Sequence, residues 1–257
     1  MSGWLQRWRR KRALERRPIP DPLWRLTLVR FPFLARRSAA DLEALREMAT
    51  LFLAEKEFSG AHGLEVSDEM AVAIAAQACL PALKLGLDCL NRFVGIVVHE
   101  DAVVARREVE DDDGIVHAYD EELAGEAMSG GPVMLAWRDV DEAGDSAEDG
   151  YNVVVHEFVH VIDMRAGVTA GLETVNPESE RGIWLYALAD EYEQFADRVE
   201  REEETFLDPY GAEALEEFFA VAAEAFFVAP VEFKAEQSRA YDLLRAFFRQ
   251  DPVSVQG

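Results

Sequence analysis

The sequence predicts an α+β fold, mostly helical with a small mixed sheet. Two segments with apolar residues at helical spacing come first, then two short apolar runs that read as strands, then an almost unbroken helical pattern after Gly150. With 257 residues, 49% of them apolar, the chain is long enough to bury one substantial core. In order, residues 1–37 form a basic N-terminal arm. Ser38-Ala-Ala-Asp41 resembles a capping box, and Leu42, Leu45, Met48, Ala49 and Phe52 continue as a helix to about Lys56. A second helix is expected from Asp68 to Leu80, broken by Pro81, because the residue before proline avoids helical angles. Phe93–His99 and Pro132–Trp137 read as buried strands, separated by an acidic turn-like stretch, Glu108–Asp113, and by Gly114-Ile-Val-His117. Ala143–Gly150 is a polar loop, and helices follow at about 152–166, 181–204, 213–228 and 231–248. A single domain is therefore expected over 38–250, with a helical and sheet part (38–150) and a helical part (151–250).

The charge is unevenly placed. The formal net charge is −24, yet residues 1–37 hold 11 Lys and Arg against Glu15 and Asp21, leaving 15 basic and 48 acidic groups for the remainder. An acidic body argues against direct nucleic-acid binding, which needs clustered cations to neutralise phosphates. Trp4–Arg17 mixes Trp with seven basic residues. It reads either as a solvated arm lying loosely on its own acidic body or as a segment that touches a membrane or an acidic surface. The longest uncharged run, Met70–Leu83, is 14 residues, too short to span a bilayer. No clean signal peptide follows the basic start, since Arg25 and Arg30 interrupt Leu23–Ala35. Cys79 and Cys89 form no Cys-x-x-Cys pair and read as thiols of a reducing compartment. A cytoplasmic protein with no transmembrane segment is expected.

The segment Val153-Val-Val-His156-Glu157-Phe-Val-His160 places His-Glu-x-x-His inside an expected helix. Residues i and i+4 project from one helical face, so His156 and His160 can reach a single zinc ion. Glu157 lies beside that face, where a carboxylate can take a proton from an activated water. A catalytic site needs a third protein ligand and one open position. The metzincin continuation would need Gly at 163 and His at 166; Asp163 and Ala166 exclude it. A later helix offers Glu217 and Glu224, seven apart on one face of an otherwise apolar stretch, and spacing leaves the choice between them open. Asp163, three residues past His160, is placed to orient a ligand imidazole.

At this point the chain resembles the MtfA (Mlc titration factor A) family, zinc-dependent peptidases of the gluzincin type. The matching pieces are Cys79-Leu-Pro-Ala-Leu-Lys-Leu-Gly-Leu87, Gly114–His117, Gly131-Pro-Val-Met-Leu-Ala-Trp137, His156–Gly167, Asp208-Pro-Tyr210 and Glu217–Phe227. They run in family order across roughly residues 40–250, and the basic arm is the least comparable part. The resemblance implies a zincin-like catalytic domain, with Glu217 as third ligand and Glu224 behind it. It also implies Tyr210 facing the metal to stabilise the oxyanion, and His117 as an additional zinc contact. His62 and His99 have no such support and read as structural or exposed.

The chemistry expected is peptide-bond hydrolysis by a zinc-activated water with Glu157 as general base, and the resemblance implies aminopeptidase-like activity on short peptides. The other function implied is regulatory: sequestering a transcriptional repressor of the Mlc type by protein contact, and so acting indirectly on sugar-uptake genes. A third reading is a purely structural zinc domain, which the carboxylate ligand and the neighbouring Glu157 disfavour. Acidic surroundings would favour basic peptides or free α-amino groups as substrates.

Overall fold

A computed structural model describes residues 3–91, 93, 95–110, 116–123, 125–127, 131–144, 149–172 and 174–255; of these, 3–7, 103–110, 116–123, 126 and 255 are described by their backbone alone. The chain opens with helices α1 (Gly3–Arg16), α2 (Asp21–Arg30), α3 (Pro32–Ala35) and α4 (Ala39–Glu55). The capping reading holds for α4, whose first turn is closed by Asp41 N–H donating to Ser38 Oγ at 3.1 Å. Ile19, Trp24, Phe31, Phe33 and Leu34 are buried in the same core as Leu45, Ala49 and Phe52 of α4. From Ile19 onward the chain is therefore joined to the body by apolar packing.

Helix α5 (Asp68–Ala82) is capped by Ser67 and runs through Pro81, against the break expected there. The proline falls in the last turn, so the one backbone hydrogen bond it cannot donate is lost at the helix end. The bonds Leu83 N–H to Leu80 O and Leu85 N–H to Ala82 O then close the end as a tighter turn. From Met70 to Ala82 every residue of α5 except the half-buried Ala71 is buried. Five of its twelve buried positions are alanine, which lets neighbouring helices approach closely.

Strands β1 (Glu57–Gly60), β2 (Gly95–His99), β3 (Val103–Glu110), β4 (Val116–Leu123), β5 (Gly125–Ala127) and β6 (Val133–Ala136) follow. One sheet has the order β1-β2-β6-β5, in which the first three strands are parallel and β5 pairs antiparallel to β6. This is the small mixed sheet expected, with Ile96, Val98, Val133 and Leu135 turned into the core. Of the acidic stretch read as turn-like, Glu108–Glu110 end β3, which pairs antiparallel with β4 (Val109 opposite His117); 111–115 lie outside the described residues. β1 and β5, four and three residues long, carry too few apolar positions to show a period in the sequence.

After α6 (Trp137–Glu142) the remainder is helical: α7 (Val153–Ala166), α8 (Glu180–Glu200), α9 (Leu215–Val228), α10 (Pro230–Glu236) and α11 (Ser238–Phe248). One helix was expected over 231–248, but Gln237 leaves helical angles (φ −127°, ψ 65°) and divides it. The bend lets Tyr241, Leu244 and Phe248 of α11 fold back onto α9, where Phe226 lies 5.0 Å from Tyr241 and 5.9 Å from Phe248 between ring centroids. α9 is buried from Phe218 to Val228 and packs on α7, which also packs on α5. No helix among the described residues is long and apolar enough to cross a membrane.

Candidate metal centre

Helix α7 begins where the Asn152 side chain accepts from Val155 N–H at 2.8 Å and ends at Gly167, whose positive φ of 58° suits a residue without a Cβ. Its apolar residues, Val153 to Val155, Phe158, Val159, Val161 and Ile162, are buried on α5, α9 and the sheet. That burial fixes the rotation of the helix and turns His156 and His160 to one side. Their rings lie 4.7 Å apart at 75°, with the two Nε2 atoms 3.0 Å apart. Glu217, in the first turn of α9, brings Oε2 to 3.2 Å from His156 Nε2 and 3.3 Å from His160 Nε2. The sequence left Glu217 and Glu224 as alternatives; in the structure Glu217 meets both imidazoles and Glu224 stands behind one of them.

The donor set fits a divalent metal. Ligands about 2.0–2.1 Å from a tetrahedral zinc stand roughly 3.3 Å from one another. The 3.0–3.3 Å separations found among His156, His160 and Glu217 match that spacing, and the three donor atoms form one compact group.

A buried polar relay holds His156. Its Nδ1–H donates to Glu224 Oε1 at 2.7 Å, which turns the lone pair of Nε2 toward the cluster. The other Glu224 oxygen accepts from Asn152 N–H; Asn152 Nδ2 donates to Gln77 Oε1 at 2.7 Å, and Gln77 Nε2 donates to Ala73 O in α5. Burial would lower the His156 pKa, but the Glu224 charge and the hydrogen bonds to Glu217 and Glu224 outweigh it and raise it to about 10. Burial likewise pushes Glu217 up, yet its bonds to His156 and His160 bring it down to about 2. Glu224 is wholly buried and is raised by that burial against the pull of His156.

Glu157 is only 5% exposed, and burial is the main cause of its rise to about 7, with the histidines opposing and Glu217 and Glu224 adding to it. The backbone of β5 lies directly on this carboxyl: a Cβ at Gly125 would sit 2.7 Å from Glu157 Cγ and Oε1. Tyr210 stands in a 3-10 turn, 209–212, whose start is capped by Asp208, and its ring lies 6.1 Å from that of His156. Asp163 does not orient a ligand imidazole. Its carboxylate accepts from Thr169 N–H at 2.9 Å and from the Thr169 hydroxyl, tying down the chain after α7. His117 lies on β4, and its side chain is outside the described residues. The sequence reading missed Gln77, Asn152 and Gly125. Gln77 carried a signal, as the one amide in the uncharged run Met70–Leu83.

Two lobes of a cleft, about 460 and 470 Å³, meet at Gly125, His156, Glu157 and Tyr210. One is walled by Tyr151, Phe206, Leu207 and Val221 with Asp149 and Asp208; the other includes Ala127, Met164, Thr169 and Glu216. Among the described residues, no Lys or Arg lines either lobe.

Residues 5–249 match the sequence profile of a family described as glucose-regulated metallo-peptidase M90. Among relatives, an uncharacterized protein of Synechocystis sp. is 35% identical over 97% of this chain and 90% of its own length. The protein named Mlc titration factor A in Klebsiella pneumoniae subsp. pneumoniae is 32% identical, over 87% of this chain and 84% of its own. Its namesake in Salmonella arizonae is 31% identical, over 90% and 92%.

Proposed function

The chain belongs to the glucose-regulated metallo-peptidase M90 family, and from that premise we propose that it is a zinc-dependent peptidase of aminopeptidase type working in the cytoplasm. The observation that carries this reading is the convergence of His156, His160 and Glu217 on one point beside a buried Glu157. His156, His160 and Glu217 would hold a zinc ion, which would supply Lewis acidity to the scissile carbonyl and to a water beside it. Glu157, with a pKa near 7, is matched to take a proton from that water and return it to the departing amine. Glu224 keeps His156 in one tautomer and one orientation. Tyr210, at the junction of the two lobes, donates to the developing oxyanion. β5 is the edge of the sheet and lies on Glu157, so an extended peptide can pair along it with its scissile bond over the centre. A cleft lined by Asp149, Asp208, Glu216 and Glu217 favours a free α-amino group or basic side chains.

The test is hydrolysis of an aminoacyl reporter by zinc-loaded wild type and by Glu157→Gln. The variant is expected to keep its zinc and lose hydrolysis; cleavage at the wild-type rate would overturn the role of Glu157.

A second reading is favoured by the name of the relatives, Mlc titration factor A: the chain binds a transcriptional repressor of the Mlc type and acts on sugar-uptake genes without touching DNA. The two activities can coexist. A pull-down of such a repressor with the Glu157→Gln protein separates them, and failure to retain it would leave the peptidase reading standing alone.

A further inference from the structure

The peptidase reading leaves one feature unused, the basic start of the chain. Helix α1 packs on α4, its Ala13 and Leu14 are half-buried, and Arg10 reaches across to Glu55 (3.3 Å) and Asp88 (2.7 Å). The other face is open. Trp8 is 49% exposed there, with the Arg12 guanidinium stacked 5.1 Å from its ring. Arg9 and Arg16 are exposed on the same helix. Among the described residues, Arg9, Arg12 and Arg16 make no ion pair, although residues 38–257 carry 48 acidic groups. Their charge is directed away from the body.

We propose that the exposed face of α1 is a docking surface for an anionic lipid bilayer. An interfacial helix needs two things together, cations for the phosphate headgroups and an amphipathic aromatic for the headgroup–acyl boundary, and α1 presents both as Arg9, Arg12, Arg16 and Trp8. Helix α2 repeats the pattern. Trp24 and Thr27 face the core, while Leu26 and Val29 (45% and 77% exposed) stand outward with Arg25. A soluble polyanion such as RNA or an acidic peptide would use the arginines but has no use for exposed Trp8, Leu26 and Val29, which is why a bilayer fits better. The acidic body does not forbid the contact. At physiological ionic strength, charges more than about 8 Å from the membrane are largely screened, so the basic helix at the surface decides the sign of the interaction. The docked protein lies on the bilayer, since no described helix is long and apolar enough to cross it.

The experiment is co-sedimentation of the full chain with vesicles of phosphatidylcholine alone or with 30% phosphatidylglycerol, at several salt concentrations. Wild type is expected to bind the anionic vesicles at least tenfold more tightly than the neutral ones, and less so as salt rises. Arg9→Glu/Arg12→Glu/Arg16→Glu is expected to lose at least tenfold, and Trp8→Ala several-fold with the salt dependence kept, both with unchanged thermal midpoints. Should the triple variant fail to fold, Trp8→Ala and the wild-type salt series decide. Wild type staying in the supernatant with anionic vesicles overturns the proposal. So does equal binding to neutral vesicles, or polyglutamate competing as well as anionic vesicles while Trp8→Ala has no effect, which would make the face a docking site for an acidic protein.

Discussion

The acids of the metal centre and those of the outer helices are the same residue types put to opposite use. On the surface, Asp197 faces Arg201 at 3.2 Å with both side chains more than 60% exposed, and Arg198 answers Glu203 and Glu236. In the centre Glu157 and Glu224 are buried, and each has a defined contact: the β5 backbone at Gly125 for one, His156 and Asn152 for the other. Water screens the first group, so its members are interchangeable and keep an acidic protein dispersed. Burial forces the second group to be partnered, which also fixes where each carboxyl points and when it carries a proton. Among the described residues three acids are buried, Glu157, Asp163 and Glu224, and two of them stand at the cluster of His156, His160 and the half-buried Glu217.

The contrast can be broken from its strongest side first. Glu157→Gln keeps the shape and removes the base, so hydrolysis is expected to fall by about 10²–10⁴ with zinc retained, read as turnover beside metal content. Gly125→Ala should come next. The added methyl must push the Glu157 carboxyl aside, and a displacement of that order costs about 10² in rate with zinc still bound. An unchanged rate in Gly125→Ala would mean that Glu157 has room to move and that β5 does not position it. Glu224→Gln acts one shell further out and should weaken zinc affinity by about 10- to 100-fold, measured by chelator competition. The pH dependence follows from the same pair. Without metal, His156 keeps its proton up to about pH 10, so zinc must displace that proton at any lower pH. Affinity should therefore fall by about tenfold per unit as pH drops from 8 to 6, and a flat profile would contradict a proton held on His156 Nε2 beside Glu217. On the surface, Asp197→Ala should change stability by less than about 0.5 kcal/mol and leave activity alone.

Local spacing made much of this visible in the sequence. His156, Glu157 and His160 follow from a five-residue pattern, and Glu217 and Glu224 stand out as charges on an apolar helix, a conflict that only a ligand or a buried partner resolves. What spacing could not decide is which glutamate meets the imidazoles. That depends on how α9 lies against α7, a tertiary fact. Gln77 and Asn152 are 75 residues apart and meet only after α5 and α7 pack. Gly125 is unremarkable until β5 is laid on Glu157. The error at Asp163 has the same origin. Its helical spacing from His160 suited an orienting role, but Thr169 comes back from the next loop and takes both carboxylate oxygens. The helix ends misjudged at Pro81 and Gln237 lie where packing on the core overrides local preference.

The most direct test of the account is X-ray absorption at the zinc edge on the purified, zinc-loaded protein. One zinc per chain is predicted, with two imidazole nitrogens and carboxylate oxygen at about 2.0–2.1 Å and no sulfur. Sulfur scattering at about 2.3 Å, which would bring in Cys79 or Cys89, or a protein that takes up no zinc at neutral pH, would contradict it.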